Sequence, residues 1–251
     1  MKKTVLISGL LFLCTYLFAT DNQAIIAQAN KAYGDGLYNN ALDLYKQVLK
    51  DGYESADLYY NIGNASYKIN DFTSAIFYYE KAIKLDPGNS DYAFNLKIAN
   101  GKIADKIEPI PELFYKRWYH SLVSLLSADM WAKTGVAVFI LSLLCAILYF
   151  VSRVLIIRKT GFWSGILFFV LTLFTLLFAY QNYQTLQSQD EAIIFSPTVT
   201  IKSSPDDKSI DLFVLHEGTK VQLIDHIGTW YEIRIANGSV GWLPLSSIER
   251  I

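Results

Sequence analysis

The sequence predicts a multi-domain chain: an all-α repeat solenoid, a two-helix transmembrane hairpin and a small all-β barrel. Three observations predict it. Segments 22–55 and 56–89 align without a gap at a spacing of 34 residues, two apolar runs near the middle carry no charge, and short β-type runs follow residue 190. A period of 34 is that of a helix–turn–helix repeat unit. Charge obeys the same division. Residues 21–111 carry 12 acidic and 9 basic side chains, residues 112–189 carry 2 and 6, and residues 190–251 carry 9 and 5. An apolar, basic centre between mildly acidic ends fits a membrane-embedded middle with water-facing flanks. The net charge of −1 leaves no basic stripe for nucleic acid.

The chain starts with Lys2 and Lys3 followed by an apolar stretch from Val5 to Ala19, the form of an export signal over 1–20. Two readings stand: cleavage after Ala19, with the large Leu17 at the −3 position, or an uncleaved anchor. A lipid attachment at Cys14 is poorly supported, because Leu13 stands where a small residue is expected. Neither Cys14 nor Cys145 sits where a disulfide or metal site would be built.

In the repeats, Ala29 falls on Gly63, Tyr33 on Tyr67, Ala41 on Ala75 and Tyr45 on Tyr79. Small residues at Gly63, Ala75 and Ala82 let two antiparallel helices approach, while Tyr59, Ile62 and Tyr79 fill the space between repeats. Asn70–Asp71 marks the turn between helices and Pro87 ends the second one. The string ADLYYNIGNASYKINDFTSAIFYYEKAIKLDPGN closely resembles a tetratricopeptide repeat, with one departure at Ser66, where an aromatic residue is usual. Residues 90–106 read as a capping helix with Tyr92, Leu96, Ala99 and Ile103 at helical spacing, so the repeat region extends over 21–108.

The resemblance implies that the first helix of each repeat lines a concave groove. Carried over by position, the groove residues are Gln23, Ile26, Asn30 and Tyr33, then Asp57, Tyr60, Asn64, Tyr67 and Lys68. Asparagine can hold an extended peptide backbone through two-point hydrogen bonds, and tyrosine offers flat contact area; the alternative is that the tyrosines only pack between helices. Asn30 and Asn61 match the asparagines of the carboxylate-clamping subclass, but Ile26, Asp91 and Asn95 occupy its cationic positions. A different ligand is therefore expected.

Pro109 and Pro111 open a connecting segment at 109–131 whose Leu113, Phe114, Trp118, Leu122, Leu125 and Leu126 can share one helical face. It reads either as an interfacial helix or as packing beneath the repeats, and Ser127 is a good N-cap for the span after it. The uncharged runs Thr134–Val151 and Phe162–Tyr180 predict transmembrane helices at 132–152 and 161–181. Aromatic residues cluster at their ends, and Arg153, Arg158 and Lys159 mark a cytoplasmic hairpin at 153–160. Both soluble ends then face one non-cytoplasmic compartment, although Lys116, Arg117 and Lys133 on the outer side run against the charge rule.

Within 190–251, six strands are expected at Ala192–Phe195, Thr198–Lys202, Asp211–Leu215, Lys220–Asp225, Trp230–Ile235 and Gly238–Pro244. Their spacing suggests a small barrel. The strings SSPDD, LHEGTKVQLID and GTWYEIRIANGSVGWLP resemble a bacterial SH3-like domain, with Gly218–Thr219, Trp230 and Gly241–Trp242 at its recurring positions. Trp230 and Trp242 read either as a ligand surface or as core and rim residues.

No catalytic constellation, metal-ligand spacing or phosphate loop can be argued: His120, His216 and His226 are scattered, and neither an enzyme nor a cofactor is expected. The order of parts resembles the BatE proteins of an aerotolerance gene cluster in Bacteroides-type bacteria. That resemblance implies a Gram-negative inner membrane location, with the repeats and SH3-like domain in the periplasm. It also implies partners with von Willebrand factor A domains, a MoxR-type ATPase, and a scaffold role in a membrane complex linked to aerotolerance or envelope stress. The competing expectation is an envelope anchor whose barrel binds peptidoglycan.

Overall fold

Alternation of small and aromatic residues at helical spacing produces antiparallel helix pairs. In the computed structural model, which describes residues 22–111 and 113–251, helix α1 covers 22–34 and α2 Tyr38–Lys50. They are followed by α3 (Ala56–Lys68), α4 (Phe72–Leu85) and α5 (Ser90–Asn100). The expected export signal at 1–20 lies outside the described residues. Turns repeat with the sequence. Gly36 (φ 79°) and Asn70 (φ 65°) stand 34 residues apart, both left-handed, a conformation that glycine and asparagine tolerate best. Ser55 caps α3 by accepting from the Leu58 N–H at 3.2 Å, and Asp71 accepts from the Ser74 N–H at 3.0 Å.

Ala29, Ala41, Tyr45, Val48, Leu58, Ile62 and Ala65 form the core of the first helices. Ser66 is fully buried there, and its hydroxyl has no hydrogen-bond partner. An orphan buried hydroxyl costs about 1–3 kcal/mol. Ser66→Ala is therefore expected to raise stability by about 1 kcal/mol, read as a higher denaturant midpoint with an unchanged slope.

Seven antiparallel strands complete the chain: β1 (Glu191–Ile194), β2 (Thr198–Lys202), β3 (Asp211–His216), β4 (Lys220–Ile227), β5 (Trp230–Arg234), β6 (Val240–Pro244) and β7 (Ile248–Arg250). Their order is β3-β2-β6-β5-β4-β1-β7. The six strands expected from the sequence are present, but the sheet does not close into the expected small barrel. A seventh strand after the 3₁₀ turn Leu245–Ser247 pairs with β1, so β7 and β3 are left as the two edges. At the end of β3 the His216 N–H donates to the Asp105 carboxylate at 2.7 Å rather than to another strand.

The repeats and the sheet belong to one compact unit, made of residues 22–83, 90–109 and 190–251. They share a core in which Ala75, Ile76, Phe77, Tyr79 and Ala99 pack with Ile193 and Ile251, and the Phe77 and Phe195 rings meet edge to face at 5.5 Å. Two polar clusters flank that core. Lys220 bridges Glu80 at 3.0 Å and Glu191 at 2.8 Å. Burial pulls the Lys220 ammonium down, but Glu80 and then Glu191 outweigh it, and the net direction is upward. Burial also pushes the Glu80 carboxyl above its ordinary value, against the opposing pull of Lys220.

The second cluster lies on an extended strap after α5. Ile103 presses on Gly218, Ile107 packs on the core of the sheet, and Asp105 between them accepts from His216 N–H and, at 2.7 Å, from the Thr219 hydroxyl. His216 Nδ1 also stands 2.8 Å from Asp105 Oδ1. Partial burial pushes the Asp105 carboxyl up, but these bonds outweigh it and hold it below the ordinary carboxylate range. A carboxylate with a lowered pKa stabilises the fold above its unfolded value, near 3.9, and loses that contribution as pH falls through the folded value. Asp105→Asn is expected to cost about 1–3 kcal/mol at pH 7. Wild type should then lose its advantage over the variant below about pH 4, as paired denaturation curves of the full chain between pH 7 and 3 would measure.

The second unit comprises residues 84–89 and 110–189. It holds α6 (Phe114–Val123), α7 (Ala128–Val151) and α8 (Leu155–Gln187). Both α7 and α8 are long and apolar enough to cross a membrane. They pack through small and hydroxyl side chains: Ser142 donates to the Gly165 carbonyl at 3.0 Å, and a Cβ on Gly161 would stand 3.0 Å from the Cys145 carbonyl oxygen. Arg158 and Lys159, expected in the hairpin, stand in the first turns of α8, and Arg158 lies over the Tyr149 ring.

Candidate functional site

The 34-residue step positions the same polar pair twice. In the first repeat the Tyr45 hydroxyl, from α2, donates to Asn30 Oδ1 on α1 at 2.6 Å; in the second, Tyr79 from α4 donates to Asn64 Oδ1 on α3 at 2.7 Å. Both tyrosines are almost wholly buried. Burial pushes the Tyr45 phenol up to about 12 and raises that of Tyr79 too, with Tyr60 and Tyr33 adding to it. Each phenol therefore stays a neutral donor across ordinary pH and fixes how its asparagine is turned.

α5 completes the arrangement. Asn95 donates to Asn64 Oδ1 at 2.9 Å and to the Tyr60 hydroxyl at 2.8 Å. The Asn64 carbonyl thus has both lone pairs engaged, and its amide N–H groups are left to donate elsewhere. Around them lies an open cavity of about 330 Å³ lined by Tyr33, Tyr60, Asn64, Tyr67, Lys68, Tyr79, Asn95 and Ile98. Lys68 is the charged residue among them, and no carboxylate among the described residues lines the cavity. Its ammonium lies 5.9 Å from the centre of the Tyr38 ring.

Of the residues expected in the groove, Tyr33, Tyr60, Asn64, Tyr67 and Lys68 come together at this cavity. Asn30 lies outside its lining, exposed and holding Tyr45. Asp57 is also outside and accepts from the Tyr92 hydroxyl at 2.6 Å. Sequence reasoning left out Tyr79, Asn95 and Ile98. Continuing the step of 34 through α5 would have found one of them, because Ile98 falls on Asn64.

Residues 56–89 match the tetratricopeptide repeat family model. The chain has a tetratricopeptide-like helical solenoid, a fold that serves as a non-catalytic scaffold for proteins or peptides. Among solved structures it is similar to YrrB, a TPR protein with an unusual peptide-binding site, at 15% identity over 66% of this chain and 76% of that one, with a TM-score of 0.32. No curated protein matches.

On the sheet, Trp230 stands opposite Pro244 and Glu232 opposite Trp242. Alternation along β5 and β6 therefore puts Trp230, Trp242, Glu232 and Pro244 on one face, opposite to the buried Tyr231, Ile233 and Leu243. Both tryptophans are partly exposed. No group of three or more His, Cys, Asp or Glu residues able to hold a metal is found among the described residues.

Proposed function

We propose that this chain is a non-catalytic, membrane-anchored scaffold whose tetratricopeptide groove holds an extended segment of a partner protein. The observation that carries this reading is Asn64, oriented by Tyr79 and Asn95 with its amide left to donate into a tyrosine-lined cavity. In this reading Tyr33, Tyr60 and Tyr67 supply flat contact area and Lys68 receives an acidic group of the ligand. The exposed Asn30 extends the contact along α1.

α7 and α8 serve as the membrane hairpin. Because the repeats and the sheet share a core, they occupy one compartment, which requires an even number of crossings between them. Together with the export signal this supports an inner-membrane protein with both soluble parts in the periplasm. The BatE-type assignment, with von Willebrand factor A-domain proteins and a MoxR-type ATPase as partners in an aerotolerance complex, rests on the order of parts.

The test is affinity purification from mildly solubilised native membranes, wild type against Asn64→Ala/Tyr67→Ala. Membrane proteins that copurify with wild type and vanish with the variant are the expected result. Partners that persist with the variant would remove the groove from the reading.

The shared face of Trp230 and Trp242 favours a second reading, in which the SH3-like sheet binds peptidoglycan. Cosedimentation of the full chain with purified peptidoglycan, lost in Trp230→Ala/Trp242→Ala, would support it. The full chain is needed, because Ile193 and Ile251 belong to a core completed by α4 and α5.

A further inference from the structure

We infer that Arg153, Arg158 and Lys159, where α7 turns into α8, hold the phosphate of an anionic phospholipid, an inference that rests on reading α7 and α8 as membrane spans. The sequence concentrates uncompensated charge at this turn. From residue 130 to residue 189 the chain has no Asp or Glu, and its only bases are these three and Lys133. Lys133 stands near the other end of α7, 3.9 Å from Asp129. The three bases at the turn are exposed, and among the described residues none of them has a carboxylate partner. Arg158 and Lys159 belong to the first turns of α8, whose start has neither an acidic residue nor a side-chain cap. Cations beside the positive end of a helix dipole are unfavourable until an anion joins them.

Packing gathers these charges. Gly161 lets the two helices close, since a Cβ there would stand 3.0 Å from the Cys145 carbonyl oxygen and 3.3 Å from the Tyr149 nitrogen. Arg158 is held over the Tyr149 ring, 5.3 Å from its centre, and the Phe162 ring packs on the same tyrosine. None of its side-chain N–H groups has an acceptor among the described residues. Such a guanidinium is placed in advance and offers a planar fork to two phosphate oxygens. The surroundings are apolar: Phe150 is 81% exposed and Leu155 78%, with Val151 and Ile156 also exposed. Orienting a hairpin needs only positive charge on one side. A positioned arginine, two further bases and an apolar collar together fit a headgroup with its acyl chains.

The experiment uses the purified full chain reconstituted in phosphatidylcholine vesicles. A minor lipid fraction is replaced by brominated phosphatidylcholine or brominated phosphatidylglycerol, and tryptophan quenching is recorded. Trp163 follows Lys159 by one turn, and Trp131 lies in the first turn of α7. The chain has five tryptophans, so each signal is taken as the difference between wild type and the single Trp→Phe variant. At Trp163, quenching by the anionic lipid is expected to exceed that by the zwitterionic one about threefold. Arg153→Gln/Lys159→Gln should bring the two together. Tyr149→Leu, which keeps every charge, should reduce the excess by freeing Arg158. Equal quenching of Trp163 by both lipids in wild type overturns the site, as does an excess of the same size at Trp131 or one unmoved by Tyr149→Leu. Inorganic phosphate should leave the excess in place; its abolition at constant ionic strength would reassign the site to a dissolved anion and overturn the lipid. Absence of Trp163 quenching by either lipid overturns the membrane reading itself.

Discussion

Lys220→Ala is expected to open the contact between the repeats and the sheet. The substitution removes the ammonium that bridges Glu80 and Glu191. The Glu80 side chain is 11% exposed, so it would be left as a buried carboxylate without its cation, whereas Glu191 is 46% exposed and can turn to water. Breaking a buried pair costs about 3–5 kcal/mol, and the partial exposure of Lys220 sets the expectation near 3 kcal/mol. Hydrogen exchange of the full chain in detergent would show this as amides of β1, β4 and α4 exchanging on the order of 100-fold faster. Amides in α1 and α2 should change far less, because their core is built from other residues. Glu80→Gln paired with Lys220→Met should recover most of the loss, since no buried charge is then left unpaired and the half-exposed Glu191 can turn to water.

Gly63→Val should have a comparable effect in the repeats. A Cβ at Gly63 would stand 2.6 Å from Tyr79 Cε1 and 2.7 Å from Cδ1. That ring cannot retreat, because Tyr79 is 2% exposed and its hydroxyl is held by Asn64. Forcing volume into a packed site costs about 1–3 kcal/mol, and the branched side chain puts the expectation near the upper end. Since the displaced ring also orients Asn64, partner binding should fall together with the thermal midpoint. Gly34→Ala serves as the control: a Cβ there meets nothing within 4 Å, so both readouts should stay near wild type.

Periodicity set the limits of what was legible in the sequence. A step of 34 residues finds faces that recur, and it led to Asn64, Tyr60 and Tyr67. It says nothing of which partner a face meets. Tyr79 reads as packing by its spacing, yet its ring fills the gap above Gly63 while its hydroxyl reaches the groove. Asp57 reads as a groove residue by position, but the hydroxyl of Tyr92, 35 residues further on, claims its carboxylate. The strands of the sheet were visible through their β-branched residues and turn glycines. β7 was not, because it has three residues, of which Ile248 is buried, and it comes after a 3₁₀ turn. The union of repeats and sheet was least visible. It rests on Glu80 with Lys220 and on Asp105 with His216, pairs separated by 140 and 111 residues, and neither pair leaves a local pattern.

That separation has a consequence for biogenesis. Contacts so distant in sequence give this unit a high contact order, and closing so long a loop must precede any reward from the shared core. At ordinary synthesis rates, Lys220 emerges roughly 7–28 s after Glu80. For most of that interval, until β1 is made, Ile76 and Phe77 on α4 lack the strand that covers them. The two helices long enough to cross a membrane, α7 and α8, are made within the same interval, before this unit can close. On the proposed reading of α7 and α8 as membrane spans, a hairpin with the wrong number of crossings would strand the sheet on the far side and leave α4 open to proteases, so completion of this fold would act as a checkpoint on insertion.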